Sequence, residues 1–263
     1  MTSDNLQMIT CVKQIIDPEV PAVVFQVDPE AKRAIQPKGV ELVISDYDEV
    51  AVEAALRIKD THGGTITVLS LGEESAKDVL RHCIAMGADD GVLLSDPLFD
   101  DSDSFTTAQA LAQAIKKLGG FDLILCGRQE GEWDAGQVGS GIAQLLDIPC
   151  VTVAGKIEIK DGKAIVERVV EGGRDEIEVL LPALVTASNE IGEPRYPPFR
   201  RIMAAKKQEI PTWNAQDIGY SAKARNKMLK IFAPVHEGQC QFIEGETSEE
   251  IGANLALKLR ELI

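Results

Sequence analysis

The sequence is poor in most of what marks a metal centre or a nucleophilic enzyme. Its five cysteines, Cys11, Cys83, Cys126, Cys150 and Cys240, are scattered and form no C-x-x-C pair. That argues against a zinc site and fits reduced thiols better than a disulfide framework. The three histidines, His62, His82 and His236, stand too far apart in sequence to suggest a triad or a metal cluster. Basic residues are in the minority, and a net charge of −15 argues against nucleic acid or an anionic membrane as the main partner. No apolar run approaches the ~20 residues of a membrane helix. The opening MTSDNLQ has neither the basic nor the apolar region of a secretory signal. There is no G-x-x-x-x-G-K-[ST] loop and no Ser-Gly-Gly-x-Asp-Ser pyrophosphate loop. At 44% hydrophobic and 26% charged over 263 residues, the chain reads as a cytoplasmic globular protein with one substantial core.

What is present is an alternation of strands and helices. Met8 to Val12 reads as a buried strand, and residues 19 to 44 as a non-helical excursion with a small hairpin. Val50, Ala51, Ala54, Ala55 and Ile58 predict an amphipathic helix, capped by Ser45 or Asp46 and stopped at Gly63-Gly64. Thr65 to Leu71 is a β-branched strand, a helix opens at Ser75 and closes at Gly87, and Gly91 to Leu94 is the next strand. The acidic segment Asp96 to Asp103 reads as a solvated connection. A metal role for Asp100, Asp101 and Asp103 is disfavoured, because no EF-hand glycine or terminal glutamate follows. Ser104 to Leu118 is helical. Strands alternating with helices in this way predict a parallel sheet with right-handed crossovers.

The stretch Asp122 to Leu146, DLILCGRQEGEWDAGQVGSGIAQLL, organises this half. A short buried strand arrives at Gly127, a glycine-containing loop follows, and Val138, Ile142, Leu145 and Leu146 return at helical spacing. That geometry offers unpaired backbone N–H groups at a helix's positive end to a phosphate, at the strand ends where ligands of open α/β sheets lie. An ordinary β-α turn has the same signature. Arg128 can meet a ligand's phosphate or pair with Glu130 or Glu132, and Trp133 can stack near an adenine or cover the loop. Cys11 and Cys126 read as small strand-end residues, since nothing nearby marks a low-pKa thiol.

After Pro149, Val151 to Ile159, Ala164 to Val170, Ile177 to Leu181 and Ala183 to Ala187 predict antiparallel strands extending the sheet. In residues 190–211 periodicity is lost, and Pro194, Pro197 and Pro198 speak against a helix. This one strongly basic stretch, with Phe199 in it, predicts a docking arm rather than a merely solvated loop. Residues 212–246 are irregular. Thr247 and Glu250 form a capping box for a helix from Glu249 to Leu262, which packs on its own sheet or on a partner. The expected division is a nucleotide-binding α/β domain over 1–189, a partner-recognition loop over 190–211 and a C-terminal arm and helix over 212–263.

Six blocks in order, CVKQIID, SDYDEVAVEAALRIKD, AMGAD, LILCGRQEGEWDAGQVG, GG…E…LPALVTA and EPRYPPFRRIMAAKKQEI, resemble the β subunit of electron-transferring flavoproteins. The likeness runs from about Met8 to Pro211. It implies an α/β fold of the adenine-nucleotide-binding (HUP-like) type, its open parallel sheet extended by antiparallel strands, paired with an α subunit that holds an FAD. The nucleotide contacts it implies are Cys11, Ser45 and Leu71, then Gly127, Arg128, Gln129, Asp134, Ala135, Gly136, Gln137, Val138 and Gly139 in the loop. The arm, with Arg195, Tyr196, Phe199, Arg200, Ile202 and Met203, matches the family's recognition loop for partner dehydrogenases.

Members that hold AMP usually carry Asn and Thr on either side of the glutamine and Asn at the position of Ser45. Here the flanking residues are Gly136 and Val138. The run D-A-G-Q-V-G instead resembles members with a second FAD in the β subunit, which take electrons from NADH and bifurcate them toward a dehydrogenase and a low-potential acceptor such as ferredoxin or flavodoxin. Those members often have proline where this chain has Ser140, and Ser45 departs from both groups. The alternative is a plain carrier with structural AMP, serving acyl-CoA dehydrogenase-type flavoenzymes. A nucleotide-cleaving or nucleotide-sensing module is a third reading, without a motif to support it.

Overall fold

The computed structural model describes residues 6–21, 23–233, 238 and 240–261. His236, Leu262 and the first five residues of the opening MTSDNLQ lie outside them.

The first half is built as its periodicity predicts. Strand β1 (Gln7–Cys11) enters the core. The excursion then forms two small antiparallel pairs, β2 (Gln14–Ile16) with β5 (Leu42–Ile44), and the hairpin of β3 (Gln26–Asp28) with β4 (Arg33–Ile35). Helix α1 (Asp46–His62), strand β6 (Thr65–Leu71), helix α2 (Lys77–Met86), strand β7 (Asp90–Leu94), helix α3 (Ser104–Leu118), strand β8 (Leu123–Gly127) and helix α4 (Val138–Leu146) follow. The second half holds β9 (Cys150–Lys160), β10 (Lys163–Val170), β11 (Gly173–Leu180), β12 (Ala183–Ala187), helix α5 (Phe199–Ala205), β13 (Thr212–Trp213) and helix α6 (Ser248–Arg260).

Nine strands form one sheet in the order β11-β10-β9-β12-β8-β1-β6-β7-β13. Alternate residues feed two cores. Met8, Leu123 and Leu125 face α1 and α2, while Ile9, Ile124 and Cys126 face α3 and α4. Every residue of β8 and β12 is buried, as a parallel strand covered on both faces must be. Each fully buried Leu or Ile contributes about 1.5–3 kcal/mol, so the central strands are rigid.

Three expectations change. Strand β12 is not part of the antiparallel extension: it runs parallel to both β8 and β9 and fills the place between them. Its five consecutive buried residues carry no alternation that would tell its direction. Within the nine-stranded sheet only β9, β10 and β11 are antiparallel neighbours. Strand β11 also begins at Gly173, before the expected Ile177, because Gly173–Glu176 are exposed and give no apolar signal. Finally, the prolines do not keep the arm free of helix. Pro198 caps α5, its carbonyl accepting from the amides of Arg201 and Ile202. A proline at a helix start forfeits no intrahelical bond.

The region after 211 is more anchored than its sequence suggests. Strand β13 pairs with β7, and Ala215, Ile218 and Tyr220 enter the core, with Tyr220 edge-on to Phe99 at 5.1 Å. Asp103, in the acidic segment, caps α3 through Thr106 and accepts the amides of Arg225 and Asn226. Helix α6 starts at Thr247, whose hydroxyl accepts the Glu250 amide, while the Glu250 carboxylate takes the amide of Glu246 rather than that of Thr247. None of its residues is buried, so it does not pack on the sheet, and Ile251, Leu255, Leu257 and Leu259 are exposed on it. No described helix is long and apolar enough to cross a membrane.

Candidate functional site

Strands β1, β6 and β8 end side by side at their carboxyl ends, and α4 starts beside them. Two glycines make the approach possible. A Cβ on Gly127 would stand 2.7 Å from the Asp48 carboxylate and 2.8 Å from Tyr47 backbone. A Cβ on Gly139 would stand 2.9 Å from Thr186 Cγ2, so α4 lies against the sheet as only glycine allows. Gln137 caps α4 without a side-chain hydrogen bond, and the amides of Val138, Gly139 and Ser140 find no partner among the described residues. Unfilled amides at a helix start are an anion site in waiting.

The loop between β8 and α4 is held at several points. Arg128 N–H donates to the Ala187 carbonyl at 2.8 Å, and Gly131 N–H to Ser45 Oγ at 3.2 Å. Gln129 donates to Asp134 at 2.7 Å, and Glu130 accepts the Ala135 amide at 3.3 Å. Asp134 takes φ of 53°, a left-handed conformation that aspartate tolerates better than most residues.

Loop, strand ends and helix start enclose a cavity of ≈150 Å³. Cys11, Leu71 and Gly127 line it from the strands, Arg128, Gln129 and Gly136 from the loop, and Val138 and Gly139 from α4. The other expected residues do not line it. Ser45 ties the loop to α1, and Asp134, Ala135 and Gln137 form the outer side of the loop. A larger hollow of ≈290 Å³ lies under α5, at the amino end of β7, where Lys59 and Asp89 already neutralise each other at 2.7 Å. Having no carboxyl end of a strand and no uncapped helix start, it is a packing groove.

Asp48 is the principal group that sequence reading passed over. It is 7% exposed, and its two oxygens accept the amides of Lys13 at 2.9 Å and Gly127 at 3.1 Å, joining α1 to the ends of β1 and β8. Burial pushes its carboxyl up to about 7 although these two amides oppose the rise. Its spacing offered a signal: Asp48, Val52 and Ala55 fall on one helix face, which placed a carboxylate among core residues. Lys13, Thr107 and Leu111 also line the cavity unforeseen.

Arg128 is not paired with Glu130 or Glu132. Its guanidinium lies 4.7 Å over the Tyr47 ring and donates to the Tyr47 hydroxyl at 2.9 Å. It makes no ion pair among the described residues, and its buried Nε has no partner. Cys11 and Cys126 are register partners on the same face. The neighbouring Cys11 thiol and burial push the Cys126 thiol well up, so it stays protonated. Trp133 is half exposed on the loop and does not line the cavity.

The arm is a separate surface. Arg195 turns inward onto Glu53, which accepts its Nε at 2.8 Å and its backbone amide at 3.1 Å, and onto Asp60 at 2.8 Å. Burial alone would raise the Glu53 carboxyl; hydrogen bonds from Arg195 and Arg57 outweigh it and hold it below the ordinary value. So anchored, the arm presents Tyr196 at 87% and Phe199 at 76% exposure, with Arg200 and Met203 exposed and Ile202 half-buried beside them.

The Electron transfer flavoprotein domain matches residues 32–218. The chain is 40% identical over 263 residues to the caffeyl-CoA reductase-Etf complex subunit CarD of Acetobacterium woodii, covering 97% of this chain and 98% of that one. It is 41% identical to the electron transfer flavoprotein subunit beta of Megasphaera elsdenii, over 87% of this chain and 88% of that one. To the subunit of the same name in Bacillus subtilis it is 39% identical, over 82% and 85%. With the domain spanning most of the chain and relatives aligned over nearly all of it, the chain belongs to the electron transfer flavoprotein family, on its β-subunit branch.

Proposed function

We propose that the cavity between β1, β8 and α4 binds the adenine-nucleotide part of FAD, and that the chain passes electrons from NADH toward a dehydrogenase and a low-potential acceptor. The observation that carries this reading is the donor set around the cavity. The uncapped amides of Val138, Gly139 and Ser140 and the unpaired Arg128 suit a pyrophosphate, and Arg128 Nε is a buried donor still lacking an acceptor. Gly136 and Val138 bring no hydroxyl or amide to the cavity wall and leave room there. The name of the Acetobacterium relative, a subunit of a caffeyl-CoA reductase-Etf complex, supports a complex that joins an electron carrier to a CoA-ester reductase.

A bound FAD would supply the redox chemistry, both the two-electron exchange with NADH and the one-electron exchange with acceptors. The residues of this chain bind and orient. Arg128 and the α4 amides hold negative charge, Asp48 fixes the two strand ends, and Leu71 and Leu111 keep one side of the cavity apolar. Ferredoxin or flavodoxin suits the low-potential branch. The partners expected are an α subunit, received in part by the exposed apolar residues of α6, and an acyl-CoA dehydrogenase-type flavoenzyme, gripped through Phe199. A second reading keeps AMP in the same cavity as a structural ligand of a plain carrier. The small volume of ≈150 Å³ favours it. Purifying the chain with its α subunit, denaturing the complex and separating the released nucleotides distinguishes the two. Two FAD and no AMP per heterodimer are expected, while one FAD with one AMP would leave the plain carrier.

A further inference from the structure

At the mouth of the cavity Lys13 Nζ is 2.8 Å from the carboxylate of Glu132, both side chains about one third exposed. Lys13 follows β1, and its backbone is fixed by the amide that it gives to Asp48. Its side chain lines the cavity, whereas Glu132 stands on the loop. The other acids of the loop are engaged within it, Glu130 by the Ala135 amide and Asp134 by Gln129. Glu132 alone reaches across to the opposite wall.

We infer that Lys13 is a further binding residue for the phosphate of the nucleotide, and that Glu132 is an internal stand-in anion which the phosphate displaces. The inference rests on the nucleotide reading of this cavity. Three observations carry it. First, with Glu132 in place, the carboxylates of Glu130 on the cavity wall and of Glu132 at the mouth stand against Arg128 and a neutralised Lys13. An anionic ligand meets that balance unfavourably. Second, a Lys–Glu pair about one third exposed is screened by water and weak, whereas a phosphate oxygen brings more charge to an ammonium than a carboxylate does. Third, the cavity of ≈150 Å³ is below the roughly 300 Å³ at which ordinary ligand sites begin, so the loop must yield to admit a nucleotide. Glu132 sits between Gly131 and Gly136, the latter at φ 61°, where the chain can turn. Opening the loop breaks the Lys13–Glu132 pair, removes one carboxylate from the mouth and frees one ammonium.

The pair therefore predicts opposite signs for its two members. The full chain is purified with its α subunit, freed of nucleotide by dialysis, and titrated with FAD and with AMP by calorimetry. Lys13→Gln should weaken binding of the bound probe roughly tenfold, the scale of a lost charged hydrogen bond. Glu132→Gln should tighten it roughly two- to fivefold by removing the competitor. The double variant should behave as Lys13→Gln. Circular dichroism checks the fold, and Glu132→Ala serves if the glutamine variant fails to fold. Weakening by both single variants would overturn the inference, since the pair would then only brace the loop. A folded wild-type heterodimer that binds neither probe would instead refute the nucleotide reading itself, and this inference with it. Weakening by Lys13→Gln with no change in Glu132→Gln would also overturn it, because Glu132 would then compete with nothing.

Discussion

Replacing Asp48 by asparagine isolates the charge on the floor of the cavity. Burial holds this carboxyl at about 7 against 3.8 when exposed; the Lys13 and Gly127 amides oppose the rise, Glu130 adds to it and the Lys13 ammonium subtracts. A carboxyl with a higher pKa folded than unfolded favours the folded state while it is protonated. Its contribution is complete below about 4 and is lost as pH rises through 7. At about 1.4 kcal/mol per pH unit this amounts to about 4 kcal/mol over the whole window. Asparagine cannot ionise, but its amide nitrogen must face one of the two N–H donors at 2.9 and 3.1 Å. Leaving one buried amide unpaired costs about 1–3 kcal/mol. Urea unfolding of both proteins at several pH values isolates the group, because every other titration is common to the two. Between pH 5 and pH 8 the stability difference should move in favour of the variant by about 3 kcal/mol. A difference constant over that range would refute the reasoning, since the charge would then not be buried in the folded protein.

Gly139→Ala should destabilise the chain by about 1–3 kcal/mol and weaken nucleotide retention, as a Cβ 2.9 Å from Thr186 Cγ2 must lift α4 from the sheet; thermal unfolding and nucleotide content check both. Phe199→Ala should slow electron transfer to the partner flavoenzyme while stability stays within about 0.5 kcal/mol, because the ring is 76% exposed and packs on nothing essential. Stopped-flow mixing with the partner measures the first and melting the second. Glu53→Gln, which leaves Arg195 and Arg57 short of their shared carboxylate, should destabilise the chain by about 3 kcal/mol. It should also raise hydrogen exchange across residues 193–205 with nucleotide content unchanged.

The parallel half of the sheet was legible because its helices carry a 3.6-residue apolar period and its strands are short apolar runs between glycines. The loop after Gly127 was legible for the same reason, since a strand, a glycine-containing loop and a helix start leave little choice of geometry. The direction of β12 was not, because a strand buried on both faces has no alternating pattern. Pro198 reads as a barrier to helix in the sequence, whereas its missing N–H suits the position before α5. Asp48 and Glu53 were hidden by their chemistry. Each is an acid on the buried face of α1, held there by amides or arginines from residues far along the chain, Gly127 in one case and Arg195 in the other. Such partners are set by tertiary structure alone. The anchoring of residues 212–226 rests likewise on isolated contacts, a two-residue strand and the Asp103 clamp, which leave no period behind.

The central claim is that a nucleotide lies between the ends of β1 and β8 and the start of α4. Hydrogen exchange of the heterodimer, before and after the nucleotide is removed, tests it most directly. Bound nucleotide should protect residues 11–13 and 127–140, above all the amides of Val138, Gly139 and Ser140, which have no partner among the described residues. Protection centred instead on the hollow under α5, around Lys59, Gly87 and Gln208, with residues 127–140 unchanged, would contradict it.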